Sequence, residues 1–327
     1  MYLYFVVALI ASLAITVLAE RILIPMLKSI KMEQKILDIG PRWHKSKEGT
    51  PTMGGLGFIF AAIIVFIAVI VWATYGSADI NIWRVCITFV FAFLCGAIGF
   101  IDDYAKFFKK QNEGLTAGQK YLLQLVVAAL YLFFMVWKGG LTTVLKIPFL
   151  NLEWELGIFY YVFALILITG VVNSVNLTDG IDGLAASITA IVGGFFAVVS
   201  FAFGINDGVV LSGLAVGCCI GFFVYNFYPA RVFMGDTGSL YLGGTVVGLA
   251  FLVNNPLIIV IVGIVYIAET LSVMLQVASF KLTGKRIFKM SPIHHHFEKS
   301  GWSEIKIVGI FSLFTALFCI LAYWGMM

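Results

Sequence analysis

Apolar residues run through this sequence in ten long stretches, each followed by a short polar segment. The stretches cover 2–27, 54–75, 83–101, 120–137, 158–174, 183–203, 209–225, 239–253, 256–278 and 305–325. A helix needs roughly 20 apolar residues to cross a bilayer. Backbone groups in hydrocarbon must pair within their own segment, so each stretch is predicted to be a helix. The eighth is short and glycine-rich, which leaves its limits the loosest. The pattern predicts an all-α integral membrane protein: one polytopic domain over residues 1–327, a bundle of about ten transmembrane helices. Residues 139–157 alternate apolar and polar positions around Pro148 and predict a short β-hairpin over the outer surface.

Composition adds the solvent. Of 327 residues, 61% are hydrophobic and 12% charged. Soluble domains carry about a quarter charged residues, so this chain has too little polar surface to face water all round. The five cysteines lie in apolar stretches without metal-ligand spacing and read as small buried hydrophobes. The first stretch lacks the basic start and small-residue cleavage site of a secretory signal, and reads as the first membrane helix.

Charge then orients the bundle. Loops 28–53, 102–120, 226–238 and 279–306 hold 17 of the 21 Lys and Arg residues. Cytoplasmic loops carry such an excess, so ten spans place these loops in the cytoplasm and both termini outside.

The unusual polar motifs share that side. They are PRWHKSKEGTPTMGG (41–55), IDDYAK (101–106), NSVNLTDGIDG (173–183), YNFYPARVFMGDTGS (225–239) and PIHHHFE (292–298). The opposite loops are short and plain. Five motif loops on one face predict an active site at a membrane surface.

Asp102 and Asp103 close the third stretch. Neighbouring helical residues point about 100° apart, so the two carboxylates are expected to do different work. Carboxylates at a helix C-terminus oppose its dipole unless a cation or basic group compensates; the alternative is a solvated helix end. Asn176, Asp179 and Asp182 follow among turn glycines. Asp182 suits the start of the sixth helix, whereas Asn176 and Asp179 can bind the hydroxyls and phosphates of a nucleotide-sugar. Asp236 stands in Gly235-Asp236-Thr237-Gly238-Ser239, where glycines admit a ligand close to backbone and a helix start favours anions. That segment suits phosphate together with a divalent metal, or a plain capping turn. Asn226 can reach the same site.

His294, His295 and His296 cannot all point one way, which argues against a three-histidine zinc site. Binding of phosphate fits better, because the same loop carries Lys281, Lys285, Arg286 and Lys289. The first loop offers Lys47, Thr50, Thr52, Gly54 and Gly55 for phosphate oxygens, but not the Walker pattern, so ATP use is not implied. No serine–histidine–acid triad, cofactor-binding fold or nucleic-acid-binding feature stands out. The inventory suits Mg2+-assisted chemistry on phosphates, where positioning and charge neutralisation supply most of the catalysis.

These motifs, GTPTMGG (49–55), IDDYAK, VNLTDGIDGLA (175–185), FMGDTGSL (233–240) and PIHHHFE, resemble those of the phospho-N-acetylmuramoyl-pentapeptide transferases, a branch of the polyprenyl-phosphate N-acetylhexosamine-1-phosphate transferase superfamily. The likeness runs from the first loop to the last. It implies a Mg2+-dependent transfer of phospho-MurNAc-pentapeptide from UDP-MurNAc-pentapeptide to undecaprenyl phosphate, giving lipid I and UMP for peptidoglycan and thus for cell shape and division. It also implies ten transmembrane helices, a bent ninth helix beside a lipid groove, a homodimer in the bacterial plasma (inner) membrane, a cytoplasmic active site and sensitivity to nucleoside antibiotics.

Carried onto this chain, the resemblance makes Asp236 the first metal ligand, with Asp102, Asp103 and Asp179 as further candidates. Asp102 would meet the lipid phosphate and could act there as a base, and Asp103 would support the metal or a lysine. Asn176, Asp179 and Asn226 would bind nucleotide or diphosphate; Lys47, Thr52, Lys106 and Lys110 would contact phosphates; and His294, His295 and His296 would line the donor site. Glu269, alone in the ninth stretch, is a functional suspect or a pair-forming group inside the bundle. Two other readings compete. One is a related transferase using UDP-GlcNAc. The other is a lipid-linked sugar transporter, which needs charged residues along a mid-membrane path; only Glu20, Arg21 and Glu269 approach that.

Overall fold

The computed structural model describes residues 1–30, 47–76, 78–109, 113–150 and 152–327. Nine of the described helices are long and apolar enough to cross a membrane: α1 (Tyr2–Ser29), α2 (Gly55–Tyr75), α3 (Ile82–Lys109), α4 (Ala117–Trp137), α5 (Ile158–Thr178), α6 (Leu184–Ala202), α7 (Asp207–Asn226), α10 (Ile264–Thr283) and α12 (Glu304–Trp324). Two short helices, α9 (Ile259–Val262) and α11 (Ile293–Glu298), lie between the last of these. The remaining helix, α8 (Gly235–Leu252), corresponds to the glycine-rich eighth stretch.

α8 is the axis of the bundle. Every residue from Thr237 to Leu252 is buried, and α3, α5, α2, α6 and α7 pack around it. A helix enclosed by protein need not be apolar enough for lipid, which explains why α8 stands apart from the nine. Its glycines admit the neighbouring backbones. A methyl group at Gly243 would meet Val172 of α5, and one at Gly248 would meet Thr88 of α3. Small residues serve this purpose between membrane helices, where close packing replaces the hydrophobic effect. The outer faces of the bundle expose Ile22, Phe60, Ile67, Phe133, Ile166, Leu313 and many like them, as a surface wetted by lipid requires.

Three boundaries differ from the sequence reading. α3 continues to Lys109, so Asp102 and Asp103 stand two turns inside a helix rather than at its end. The apolar stretch stops at residue 101, but the helix continues, with Asp102 and Asp103 buried and the turns after them largely exposed. The expected clash with the helix terminus therefore disappears. α5 continues to Thr178, which puts Asn173 and Asn176 on a helix face instead of in a loop. The ninth stretch breaks: a turn at Pro256–Ile258 leads to α9, and Gly263 separates α9 from α10.

The hairpin expected over 139–157 is present. β1 (Val144–Ile147) pairs antiparallel with β2 (Leu152–Glu155), with Leu145 opposite Trp154. Its turn reaches the chain end, where the Phe149 N–H donates to the Gly325 carbonyl at 2.9 Å. At the same end of the bundle Arg84 ties three helix termini together. Its Nη1 donates to Asp207 Oδ2 at 3.2 Å, and its Nη2 donates to the Phe251 carbonyl at 3.0 Å and to Asn254 Oδ1.

Candidate active site

At the other end of α3 and α8, three carboxylates meet. One oxygen from each of Asp102, Asp103 and Asp236 lies within 4.8 Å of the others. α3 supplies the first two and the first turn of α8 supplies the third. Their approach needs a bare backbone: a side chain at Gly99, one turn before Asp103, would strike the backbone of Asp236.

Each carboxylate has a distinct setting. Asp103 Oδ2 accepts from the Thr237 N–H at 2.8 Å and from its hydroxyl at 2.7 Å, so this residue holds the start of α8. Asp102 Oδ1 accepts from the Leu115 N–H at 2.7 Å and thereby draws in the α3–α4 loop. Asp236 is gripped on both oxygens. Asn176 Nδ2 donates to Oδ1 at 2.8 Å, while Lys106 and Lys120 donate to Oδ2 at 2.6 and 2.9 Å. Asn176 also donates to the Ser239 hydroxyl at 2.7 Å.

Lys106 is the centre of the cluster. Its Nζ lies 2.7 Å from Asp102 Oδ2 and 3.7 Å from Asp103 Oδ1, besides the contact with Asp236. An ammonium group thus sits where three carboxylates converge, and it is 34% exposed. Three carboxylates against Lys106 and Lys120 leave one negative charge over.

The loops named by their motifs come together here. Lys47 does not stand free for phosphate: its Nζ is held by Asp182 Oδ1 at 2.6 Å and by Glu304 Oε2 at 2.7 Å. Asp182 in turn accepts from the Ala230 N–H at 2.9 Å. This group straps the first loop, the α5–α6 turn, the α7–α8 segment and the start of α12. Asn226 is 1% exposed, and both ends of its amide serve backbone groups: it accepts from the Gly183 N–H at 3.0 Å and donates to the Val232 carbonyl at 2.9 Å. Its structural duty lies in joining the two turns. The Thr52 hydroxyl lies over Gly235, whose left-handed φ of 70° carries the chain into α8. Lys110 lies outside the described residues.

Asp179 follows α5, and its carboxylate has no hydrogen bond or ion pair among the described residues. Burial first, and then the negative charges of Asp236, Asp103 and Asp182, push its carboxyl well above the usual carboxylate range. It is the acid of the site that remains uncommitted.

The three histidines point three ways, as their adjacency predicts. His294 is wholly buried, with Nδ1 3.0 Å from Glu269 Oε2, and its ring lies against Gly180 beside Asp179. Glu269 is therefore partnered inside the bundle and ties α10 to α11. His295 Nδ1 lies 2.5 Å from Glu298 Oε2. His296 Nδ1 accepts from the Lys289 N–H at 3.1 Å.

Sequence reasoning missed two residues. Lys120 had no motif around it, although Thr116 and Gln119 before it form a capping box that marks the first turn of α4. Glu304 carried the same kind of signal, an acid just after the Ser303 cap of α12.

Comparison with known proteins gives one consistent result. The model of glycosyl transferase family 4 matches residues 85–254. Over 320 residues the chain is 47% identical to the phospho-N-acetylmuramoyl-pentapeptide-transferase of Clostridium perfringens, covering 97% of both chains. It is 47% identical to the enzyme of that name from Clostridium novyi, covering 97% of this chain and 95% of that one. The Staphylococcus carnosus enzyme is 44% identical, covering 98% of each.

Proposed function

The chain belongs to glycosyl transferase family 4, among the phospho-N-acetylmuramoyl-pentapeptide transferases, and from that premise we propose that it transfers phospho-MurNAc-pentapeptide from UDP-MurNAc-pentapeptide to undecaprenyl phosphate, releasing UMP and leaving lipid I. The observation that carries the proposal is the cluster of Asp102, Asp103 and Asp236 threaded by Lys106 and Lys120 at one end of a membrane bundle. Such a place lets a soluble diphosphate meet a lipid-borne phosphate.

The residues fit a divalent cation. Hard cations such as Mg2+ take oxygen ligands from carboxylates and substrate phosphates, and a surplus negative charge already holds an ammonium at the convergence point. Asp236, Asp102 and Asp103 would hold the ion, with Asp179 within the same field. Bound there, Mg2+ would neutralise charge on the diphosphate and on the departing UMP. Lys106 is exposed enough to turn from the carboxylates toward a phosphate, and Lys120 can follow.

The acceptor needs little activation. A phosphate monoester has its second pKa near 6, so at neutral pH it is largely a dianion. We favour direct attack of an acceptor phosphate oxygen on the donor's β-phosphorus, breaking its bond to the oxygen that leaves with UMP. Asp102 would meet the acceptor phosphate. Asp179 and Asn176 suit the nucleotide or diphosphate, and Thr52 adds a hydroxyl. Lys47, with His295 and His296, would border the donor side, and His294 would support that border from within. The protein would work as a homodimer in the bacterial inner membrane with this end in the cytoplasm.

The test is UMP release by detergent-solubilised protein given undecaprenyl phosphate, Mg2+ and either UDP-MurNAc-pentapeptide or UDP-GlcNAc. Release from the first donor alone is the expected result. Release from UDP-GlcNAc alone would reassign the donor, and donor binding without release would favour transport. A covalent sugar-phosphate adduct formed without acceptor would replace direct attack by a two-step route.

A further inference from the structure

Below Asp236 two amides face each other between α4 and α5. Gln124 Nε2 donates to Asn173 Oδ1 at 3.3 Å, and Asn173 Nδ2 donates back to Gln124 Oε1 at 2.5 Å. Asn173 also donates to the Thr169 carbonyl one turn earlier, at 2.8 Å, which fixes its rotamer. Gln124 is 3% exposed. It lies one turn after Lys120 on α4, and Asn173 lies one turn before Asn176 on α5.

The positions form a closed frame. Lys120 Nζ approaches Asp236 Oδ2 from α4 at 2.9 Å, and Asn176 Nδ2 approaches Oδ1 from α5 at 2.8 Å. Those contacts are the top of the frame and the amide pair is its base. Residues three or four apart share a helix face, so each helix presents one member to each level. α4 has little else to hold it there. Its buried residues are Gln124, Ala128, Tyr131, Leu132 and Met135, and only Gln124 lies in its first two turns. Without the amide, the end of α4 that carries Lys120 would be placed, among the described residues, by its capping box, the Lys120 ion pairs and the Leu115 N–H bond to Asp102 just before it.

We infer that the Gln124–Asn173 pair is a positioning device for the transfer reaction. It sets the spacing and register of α4 and α5 so that Lys120 and Asn176 grip opposite oxygens of Asp236. Neither amide touches Asp236, so the effect passes through the two donors. A reciprocal amide pair suits this task because both its bonds are directional, and they lock sliding as well as separation. The inference rests on the transferase reading above.

Isosteric substitutions separate positioning from mere adhesion. Gln124→Met leaves the half-buried Asn173 amide partly unpaired, which lowers stability. Gln124→Met with Asn173→Leu removes both partners, and such paired removal can be nearly neutral for stability. Small misplacements of catalytic groups cost up to about a hundredfold in rate. The expected result is a kcat lowered about tenfold or more in Gln124→Met, with the KM for the UDP-linked donor within about twofold of wild type. The double variant should regain the wild-type Tm and keep the low kcat. The exchanged pair Gln124→Asn with Asn173→Gln restores reciprocal amides and should recover most of the rate. Recovery of both Tm and kcat in the apolar double variant, wild-type kcat in Gln124→Met, or no gain from the exchanged pair would each overturn the inference. A wild-type protein that releases no UMP overturns the transferase reading and this inference with it.

Discussion

The helix pair α3 and α8 carries charge at both ends, and the two ends are built on opposite plans. At the hairpin end, Arg84 meets one carboxylate, one carbonyl and one amide oxygen, and Asp207 spends its other oxygen on the Asn81 N–H at 2.7 Å. Cation and anion are matched one to one. At the motif end, Asp102, Asp103 and Asp236 outnumber Lys106 and Lys120, and Asp179 beside them has no partner among the described residues. A structural ion pair closes its charge, because an uncompensated buried charge is costly. A site with the proposed task of receiving a cation and two phosphate groups leaves its charge open.

The largest effect should come from the open end. Asp236→Asn keeps the shape of the side chain but removes the charge that Lys106, Lys120 and Asn176 converge on. We expect kcat for UMP release to fall about a thousandfold, the scale on which a fixed electrostatic contact contributes to catalysis, while the melting temperature in detergent changes little. Near-normal turnover would erase the distinction between the ends. Arg84→Leu is the mirror experiment. Breaking a buried pair by removing one partner costs on the order of 3 kcal/mol, so thermal melts should show a clear loss of stability. The protein that remains folded should keep its kcat.

A smaller effect tests the uncommitted acid. The Asp179 carboxyl is raised by burial and by neighbouring carboxylates, so in the free protein it ionises at higher pH than an ordinary aspartate. If its carboxylate form receives donor hydroxyls, kcat/KM rises as pH passes upward through that raised value and falls below it. Asp179→Asn should lose this limb and differ from wild type by about tenfold or less at alkaline pH, converging with it at acid pH. A limb that survives the substitution belongs to another group.

Much of this was legible in the sequence, for reasons that also explain the misses. Hydropathy located ten spans; nine match helices apolar enough to cross a membrane, because lipid contact demands apolar residues, and that demand is absent for α8, the stretch with the loosest limits. It also ended α3 at residue 101, because hydropathy reports the solvent around a helix and not where the backbone stops. The motifs drew attention to Asp102, Asp103 and Asp236 as one chemistry, and the fold brings them together. What the motifs could not carry was pairing across the chain. Lys120 meets Asp236 from 116 residues away, and Glu304 meets Lys47 from 257 away. Lys47 looked available for phosphate because nothing local indicates that two distant carboxylates claim it.

The enclosure of α8 has a consequence for how the protein is made. A segment that begins Gly-Asp-Thr-Gly-Ser and owes its place to protein neighbours is one the bilayer would retain poorly alone. All five helices that wrap it, α2, α3, α5, α6 and α7, precede it in the chain. As the polypeptide leaves the ribosome, its least lipid-compatible segment emerges after the socket that receives it has been synthesised. The order of the sequence is thus also an order of assembly, and a rearranged gene encoding α8 first would deliver that helix to the membrane before its socket existed.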